Sequence, residues 1–479
     1  MQQRSRWLLL LATSSVSFMS TIDASIVNIA IPHISRDLKV PMNEAEWVVS
    51  VYLVLICTLL IFFGKLSDQI GRIPVFQVGT LIFLVGSLGC GLSQSLPLLL
   101  AARAVQALGS AMVMATNFGI ITQIFSVDQH GRALGINSAF VQVGNLAGPG
   151  LGGLIISLVN WHWIFFVNLP IGLIAFWFGN RIFPKSPLKL AHVHVDWWGY
   201  STFAPMMITF FVAIFWGQAV GFHQTGVLSL FIVAGILLAA FIGIEHHVSD
   251  PLIDLKIFAN RGFSLGIISA MLVYMVGYFN NVLMPFYLQE TLTLSAASAG
   301  LILMTVPLLN IISAPTGGII ADHIGAERVS FYALFLFIIP GLIFIFVQPN
   351  WSIVWLIVAL AGFGIANGAF QNNPMIMGNA GPQFQGIAGA IAALGRNLGM
   401  TIGLSLSTSL LYVGISLKAG YRLTSYPQQH PQWFVFGMHF SYLIAFCLIL
   451  IALGLLGWLL NSRRVISNSL NQQRQSKDI

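Results

Sequence analysis

The chain has 479 residues, of which 57% are hydrophobic and 7% are charged, and its formal net charge is +7. Soluble domains carry about 25% charged residues, so this composition excludes a water-soluble fold. The basic residues are scattered at the ends of apolar runs, which argues against nucleic-acid binding and for a role in membrane orientation. Cys57, Cys90 and Cys447 fall in apolar runs at unrelated spacings, which indicates neither a disulfide framework nor a metal site.

Apolar runs follow one another along the chain with short joints. About 20 helical residues cross a ~30 Å hydrocarbon layer, so runs of this length predict membrane-spanning helices. The first run follows Arg6, as in a signal peptide, but it contains Asp23 and continues to Ile31, so we expect it to be retained. The predicted fold is an all-α polytopic membrane protein with fourteen spans: 7–31, 46–66, 74–93, 97–124, 131–157, 162–180, 197–220, 226–245, 262–289, 296–321, 328–347, 351–377, 386–413 and 434–460.

Lysine and arginine predict the orientation of these spans, because cytoplasmic joints carry an excess of both. With the amino terminus in the cytoplasm, fifteen of the 21 basic residues lie on the cytoplasmic side. An even number of spans then places both termini in the cytoplasm. Four tryptophans fall at the outer interface, as in an aromatic belt: Trp47, Trp161, Trp163 and Trp351.

The sequence contains an internal repeat, in which glycine and aspartate residues recur in the same order at shifts of 254 or 255 residues. The matched positions are Gly64, Asp68 and Gly71 with Gly318, Asp322 and Gly325, and Gly144 and Gly148 with Gly399 and Gly403. The repeat predicts two six-helix bundles, over residues 1–181 and 262–479. Residues 182–261 join them and hold two extra helices, the first capped by Asp196. Transporters are commonly built from such repeats, with the substrate site between the halves.

One carboxylate, Asp23, interrupts the apolar first span. Charged side chains inside a bilayer are energetically costly and commonly mark a functional path. At 1.5 Å per residue, Asp23 lies about 12 Å and Arg103 about 9 Å below the predicted outer ends of the first and fourth spans, so the two are predicted to pair. A neighbouring arginine favours the ionised carboxylate and burial favours the protonated acid, so protonation of Asp23 can follow a conformational change. A static structural ion pair is the alternative.

Polar residues form stripes inside several spans, where they should face a cavity or another helix rather than lipid. The candidate substrate-cavity residues are Gln106, Ser110, Asn117, Gln142, Asn145, Tyr274, Tyr278, Asn281, Asn310, Asn367 and Gln371. Hydrogen bonding between helices is the alternative for any one of them, whereas the set as a whole favours a water-filled central cavity. The repeat places Gly277 and Val358 at the positions of Asp23 and Arg103, so ionisable chemistry is predicted to be concentrated in the first half. Arg396 in the thirteenth span is the other candidate, for an anionic substrate or lipid or for a structural contact with backbone carbonyls.

Small residues and turn residues predict where the halves move. A seam on the fifth span consists of Gly144, Gly148, Pro149, Gly152 and Gly153. Small residues let helix backbones approach closely and proline interrupts the backbone hydrogen bonds, so the seam predicts a hinge. The turns that hold Gly64, Asp68, Gly71 and Arg72, and in the repeat Asp322, are predicted to close the cytoplasmic side between two conformations.

Several of these stretches resemble one family. They are Asp23–Pro32, Gly64–Arg72, Arg103–Gly109, the seam from Gly144 to Gly153, and Trp161–Gly172. Together they resemble the major facilitator superfamily, specifically its fourteen-helix drug:proton antiporter group, over nearly the whole chain. Gln69, Ile73 and Ala107 depart from the motifs of that family. The resemblance implies two six-helix bundles, alternating access and a role for Arg103 in proton coupling.

The expected function is a proton-coupled antiporter that exports hydrophobic small molecules, cations among them, through a bacterial cytoplasmic (inner) membrane. Its expected partners are membrane lipids, protons and such substrates, and the proton gradient takes the place of a cofactor. The alternative keeps the fold and changes the cargo to a lipid, a siderophore or a metabolite. An enzyme is not expected, because the sequence has neither a metal-spaced His/Cys cluster nor a phosphate-binding glycine loop. No particular oligomeric state is predicted.

Overall fold

The computed structural model describes residues 3–125, 130–183, 196–248, 251–370, 372–380, 385–421, 423 and 430–475, and over these residues the chain is helical, without a strand. The helices are α1 Gln3–Asp37, α2 Met42–Ala45, α3 Trp47–Ile70, α4 Arg72–Gly91, α5 Leu96–Ile124, α6 His130–Leu158, α7 Trp163–Phe166, α8 Asn168–Ile182, α9 Trp197–Val220, α10 Thr225–His247, α11 Arg261–Phe286, α12 Ala296–Leu303, α13 Thr305–Ile324, α14 Ala326–Leu336, α15 Ile338–Phe346, α16 Ile353–Ala369, α17 Asn372–Asn379, α18 Gln385–Ala419 and α19 Pro431–Gln475. A 3₁₀ turn at Leu255–Ala259 precedes α11, and a π-helical turn at Tyr287–Thr291 follows it.

The predicted membrane-spanning helices are present. Among the described residues, thirteen helical stretches are long and apolar enough to cross a membrane. They coincide with every predicted span except the fifth. That span corresponds to α6, in which Val143–Leu158 forms a shorter apolar helix. The prediction of an all-helical polytopic membrane fold is confirmed.

The repeat in the sequence corresponds to a repeat in the backbone. Both α3 and α13 end at a glycine with a positive φ, 109° at Gly71 and 93° at Gly325, a conformation that residues with a Cβ rarely adopt. The two glycine N–H groups donate to the carbonyls of Ser67 and Ala321, each at 2.9 Å. The two turns are therefore the same structure. The side chains of Asp68 and Asp322 lie outside the described residues.

Glycines set the closest helix contacts in each half. In the first half α6 packs on α1, and a Cβ at Gly148 would come within 2.7 Å of the Ser25 Cβ. In the second half α18 packs on α11, and a Cβ at Gly403 would come within 2.8 Å of the Met275 Cα. Because the glycines occupy matched positions, the α1–α6 and α11–α18 pairs are equivalent elements of the repeat.

The other face of α6 contacts the second half of the chain. The backbone of α12 lies directly against Gly153, since a Cβ there would be 3.1 Å from the Cα of Ala297. In return, a Cβ at Gly300 would be 3.1 Å from the carbonyl carbon of Pro149. The glycine seam therefore joins α6 to α1 on one side and to α12 on the other.

The two inserted helices, α9 and α10, pack against each other, and α9 also contacts both halves. Phe215 of α9 packs on Trp47 of α3 with ring centroids 4.6 Å apart, and the Gln218 side chain donates to the Ser405 carbonyl of α18. Asp196 caps α9 as predicted, because its Oδ1 accepts from the Gly199 N–H at 2.9 Å. The predicted domain boundaries themselves stay predictions.

Candidate functional site

The predicted partners Asp23 and Arg103 are in contact. Asp23 lies on α1 and Arg103 on α5, and each residue is 0% exposed. The Arg103 Nη1 donates to the Asp23 Oδ2 at 2.6 Å, forming an ion pair inside the first half. The contact predicted from the depth of the two residues and from the family resemblance is therefore present.

Helix α3 holds the guanidinium group of Arg103 in place. The Arg103 Nε donates to the carbonyl of Val48 at 2.9 Å, and the guanidinium carbon lies 4.1 Å from the centroid of the Tyr52 ring. The Phe165 ring lies on a further side at 5.7 Å. A cation over an aromatic face is attracted by the ring quadrupole, most strongly away from water. The Tyr52 hydroxyl in turn donates to the Ser110 Oγ at 2.8 Å, which fixes its ring.

The second oxygen of Asp23 accepts two amide hydrogen bonds. The Oδ1 accepts from the Gln106 Nε2 and from the Asn168 Nδ2, both at 2.8 Å. Gln106 also accepts from the Arg103 Nη1 at 2.5 Å and donates to the Ser87 Oγ at 2.7 Å. The carboxylate is thus held by donors on α5 and α8, so all donors match its ionised form.

Asp23 and Arg103 form an ion pair that is fully buried, so the charge of each depends on the other. A buried ion pair tolerates the loss of water because its partners and hydrogen bonds compensate for desolvation. A proton on Asp23 would leave the fully buried Arg103 without its counter-charge, and an isolated buried charge is strongly unfavourable. The described contacts of Asp23 and Arg103 therefore match the charged pair and not a neutral carboxylic acid.

Three predicted cavity residues are instead buried between helices of the first half: Gln106, Ser110 and Asn117 are 0%, 0% and 5% exposed. Asn117 of α5 donates to the Ser17 Oγ on α1 at 2.6 Å and to the Asn137 Oδ1 on α6 at 3.1 Å. These contacts correspond to the interhelical alternative, because such buried side chains line no open cavity in this conformation.

The remaining predicted cavity residues differ in exposure, and their role stays a prediction. Asn281 is exposed, and Tyr278 is buried. Those that are half-buried are Asn145, Tyr274, Asn310 and Asn367. The side chain of Gln142 and the whole of Gln371 lie outside the described residues. Also on α11, the buried Asn280 accepts a hydrogen bond from the Tyr442 hydroxyl through its Oδ1 at 2.8 Å.

The turn after α3 is attached to α5. The Arg72 Nη1 donates to the Gly119 carbonyl at 2.8 Å, and a Cβ at Gly119 would come within 2.6 Å of the Arg72 Nε. Space around Gly64 is open, with no atom within 4 Å of a Cβ placed there. Arg72 therefore fixes the turn within the first half.

Sequence alone does not single out Asn168, Ser87, Tyr52 or Phe165. An amide inside an apolar span is the signal that points to Asn168, which also lies in the Trp161–Gly172 stretch. Phe165 lies in the same stretch, but neither it nor Tyr52 stands out by residue type, since aromatic residues are common throughout apolar helices. Their position around Arg103 follows from the order of helices in the bundle.

The repeated arrangement of membrane-spanning helices, with a buried ion pair in the first half, is typical of membrane transporters. The model of the Major Facilitator Superfamily matches residues 13–266 and again residues 266–478. The protein belongs to the major facilitator superfamily and is one of its multi-pass transporters.

Relatives and a solved structure agree with this assignment. The chain is 32% identical over 447 residues to the riboflavin transporter RibZ of Clostridioides difficile (strain 630), covering 92% of this chain and 95% of RibZ. It is 29% identical over 391 residues to multidrug resistance protein 3 of Bacillus subtilis (strain 168), covering 81% and 76% of the two chains. A bacterial homolog of the human lysosomal transporter Spinster shares the fold, with a TM-score of 0.65, 14% identity and coverage of 95% and 97%.

Proposed function

We propose that this transporter is a proton-coupled antiporter that exports hydrophobic small molecules by alternating access. The observation that carries the proposal is the fully buried pair of Asp23 and Arg103, joined at 2.6 Å inside a membrane-spanning bundle. Ionisable residues at such depth are energetically costly and typical of proton pathways. Relatives named as multidrug resistance proteins support hydrophobic cargo.

In the proposed cycle Asp23 binds a proton from the outer side and the ion pair opens. Arg103 then keeps its contacts with Val48 and Tyr52 on α3, while α1 is released from α5 and α8. Loss of the proton to the cytoplasm restores the pair. The energy for export comes from the proton gradient, and no cofactor takes part.

The glycine seam gives the proposed route from the proton site to the second half. Helix α1 packs on α6 at Gly148, and α6 packs on α12 at Gly153. A shift of α1 after protonation therefore acts on the contact between the two halves. In this proposal the turns of Asp68 and Asp322 close the cytoplasmic side, both termini are cytoplasmic, and the membrane is the bacterial inner membrane.

A metabolite is the second candidate cargo. The relative named as a riboflavin transporter matches 92% of this chain, which favours a flavin-like molecule with an aromatic ring system. Purified protein in vesicles, tested against cationic dyes and against riboflavin, separates the two candidates. Transport of riboflavin without transport of any dye would favour the metabolite.

Coupling is tested in the same vesicles with an imposed pH gradient. Asp23→Asn removes the titratable group, and we expect it to lower gradient-driven transport at least tenfold. The matched control is Asp37→Asn on the same helix, where the carboxylate accepts from the Trp161 indole at 2.7 Å, outside the buried pair. We expect this control to retain coupled transport. Unchanged coupled transport in Asp23→Asn would overturn the proposal.

A further inference from the structure

A second acid, Glu46, is also buried, and among the described residues it forms no ion pair with a cation. It lies at the junction of α2 and α3 and is 4% exposed. Its Oε1 has no hydrogen-bond partner among the described residues. A buried carboxylate without a cation or a full set of donors is strongly unfavourable, so the neutral carboxylic acid is the form that fits this position.

Glu46 lies between the two halves, in contrast to Asp23, which lies inside the first. Helix α3 packs on α18 of the second half, where the Cys57 Sγ and the Thr401 Oγ1 are 3.8 Å apart. Nearer the predicted outer end, the Glu46 carboxyl interacts with the side chain of Thr408. The position of this carboxyl is therefore tied to the packing of one half on the other.

Among the described residues, the side chains that interact with Glu46 are neutral. Tyr412 of α18 is the titratable side chain that interacts with it, and the Tyr412 hydroxyl also lacks a hydrogen-bond partner among the described residues. On the side of α9, the neighbouring Trp47 packs on Phe215. At the predicted outer end of α1, Arg36 pairs with Glu290 of the second half, and both interact with His33.

We propose that Glu46 is a second proton-binding site, which binds a proton when α3 packs on α18 and releases it when these helices separate. The inference rests on the proposed alternating access. When the helices part, water reaches the carboxyl and the carboxylate becomes stable. When they close again, the carboxylate takes a proton from the outer water and is buried as the neutral acid.

The site makes closure of the predicted outer side depend on the outer pH. The packed arrangement holds the protonated form, so acidic conditions favour it, and alkaline conditions favour separation of α3 from α18. Because the proton enters and leaves on the same side, Glu46 changes the conformational balance without adding to the number of protons carried per molecule exported.

The distance between the two halves tests this site. Spin labels at Pro41→Cys and Lys418→Cys, two exposed positions on opposite halves, report the separation in lipid nanodiscs, with the exposed Cys447 replaced by serine. All variants carry Asp23→Asn together with Arg103→Met, so that Asp23 does not contribute to the pH response and no unpaired buried charge remains at that site. We expect a population with a longer distance to grow from acidic to alkaline pH, and Glu46→Gln to abolish that shift and keep the short distance.

The matched control is Glu44→Gln, because Glu44 is an exposed glutamate on the same short helix. In this variant the distance between the spin labels should shift with pH as it does in the parent. Infrared spectra supply a second readout, in which a protonated-carboxyl band disappears in Glu46→Gln and persists in Glu44→Gln. A pH shift that survives in Glu46→Gln, or is missing from the parent, would overturn the proposal. Neither result depends on cargo transport, so a failure of the proposed export function is seen separately in the vesicle assay.

Discussion

The two halves of the molecule share a scaffold but not a site. Helices α1 and α6 pack through Gly148 as α11 and α18 pack through Gly403. Yet the position of Asp23 is Gly277 in the second half, where a Cβ would meet no atom within 4 Å. Arg103 is 0% exposed, whereas Val358, which occupies the matched position of the second half, is 46% exposed. Equivalent packing therefore does not imply an equivalent environment.

The difference arises from the helices that enclose α5. Arg103 is buried because α3 supplies Val48 and Tyr52, and α8 supplies a donor to Asp23 from Asn168. In the second half Asn280 of α11 forms a neutral buried hydrogen bond with Tyr442. Such a bond positions helices and carries no charge. The first half is thus built around a charged pair, whereas this described contact of the second half is neutral.

The largest expected effect comes from breaking the ion pair from the arginine side. Arg103→Met leaves Asp23 buried without its cation, and removal of one partner of a buried pair typically costs about 3–5 kcal/mol. We expect a clear fall in the thermal unfolding midpoint in detergent. The double variant with Asp23→Asn should recover much of that loss, since it removes the unpaired charge.

The same change at the matched position of the second half is the control. Val358→Met replaces an exposed side chain, so its effect should stay within about 0.5 kcal/mol. If Arg103→Met and Val358→Met unfolded at the same temperature, the two matched positions would not differ in their contribution to stability.

A smaller effect is expected where the halves are alike. Gly148→Ala brings a Cβ within 2.7 Å of the Ser25 Cβ, and Gly403→Ala brings one within 2.8 Å of the Met275 Cα. Overpacking of this kind costs about 1–3 kcal/mol. We expect similar losses of thermal stability for the two variants, because the two contacts are repeats of one another.

Gly277→Ala is the control for both glycine variants, because space is open around this helical position. Replacing a helical glycine by alanine is favourable by up to about 1 kcal/mol, so this variant should be as stable as its parent or more stable. A loss at only one of the two packed glycines would show that the α1–α6 and α11–α18 contacts are not equivalent.

Hydropathy and depth predicted much of this structure, and the order of the helices accounts for what they did not. The spans follow from the sequence, because length and depth are one-dimensional properties of a helix. The contact between Asp23 and Arg103 was predicted from their similar depth together with the family resemblance. The spacing of Gln106 also placed it on the face of Arg103, although as a cavity residue. Asn168 and Tyr52 could not be placed, because their contacts depend on which helices are neighbours and how each is rotated.

The smallest expected effect concerns a second arginine–carboxylate pair, which joins the halves at their predicted outer ends. Arg36 of α1 donates to Glu290 after α11, and their side chains are 57% and 16% exposed. The adjacent contact between His33 and Gln289 measures 3.1 Å. Exposed pairs contribute about 0–1 kcal/mol, and salt screens them over a Debye length of about 8 Å at physiological ionic strength.

A double-mutant cycle of Arg36→Ala and Glu290→Ala measures this coupling through thermal unfolding. We expect at most about 1 kcal/mol, falling towards zero in high salt, whereas the cycle of Arg103→Met and Asp23→Asn should keep its larger coupling. The two pairs use the same chemical groups, so burial accounts for the contrast. A salt-resistant coupling at Arg36 of the same size as that at Arg103 would mean that the outer contact is shielded from water and that the two sites do not differ in kind.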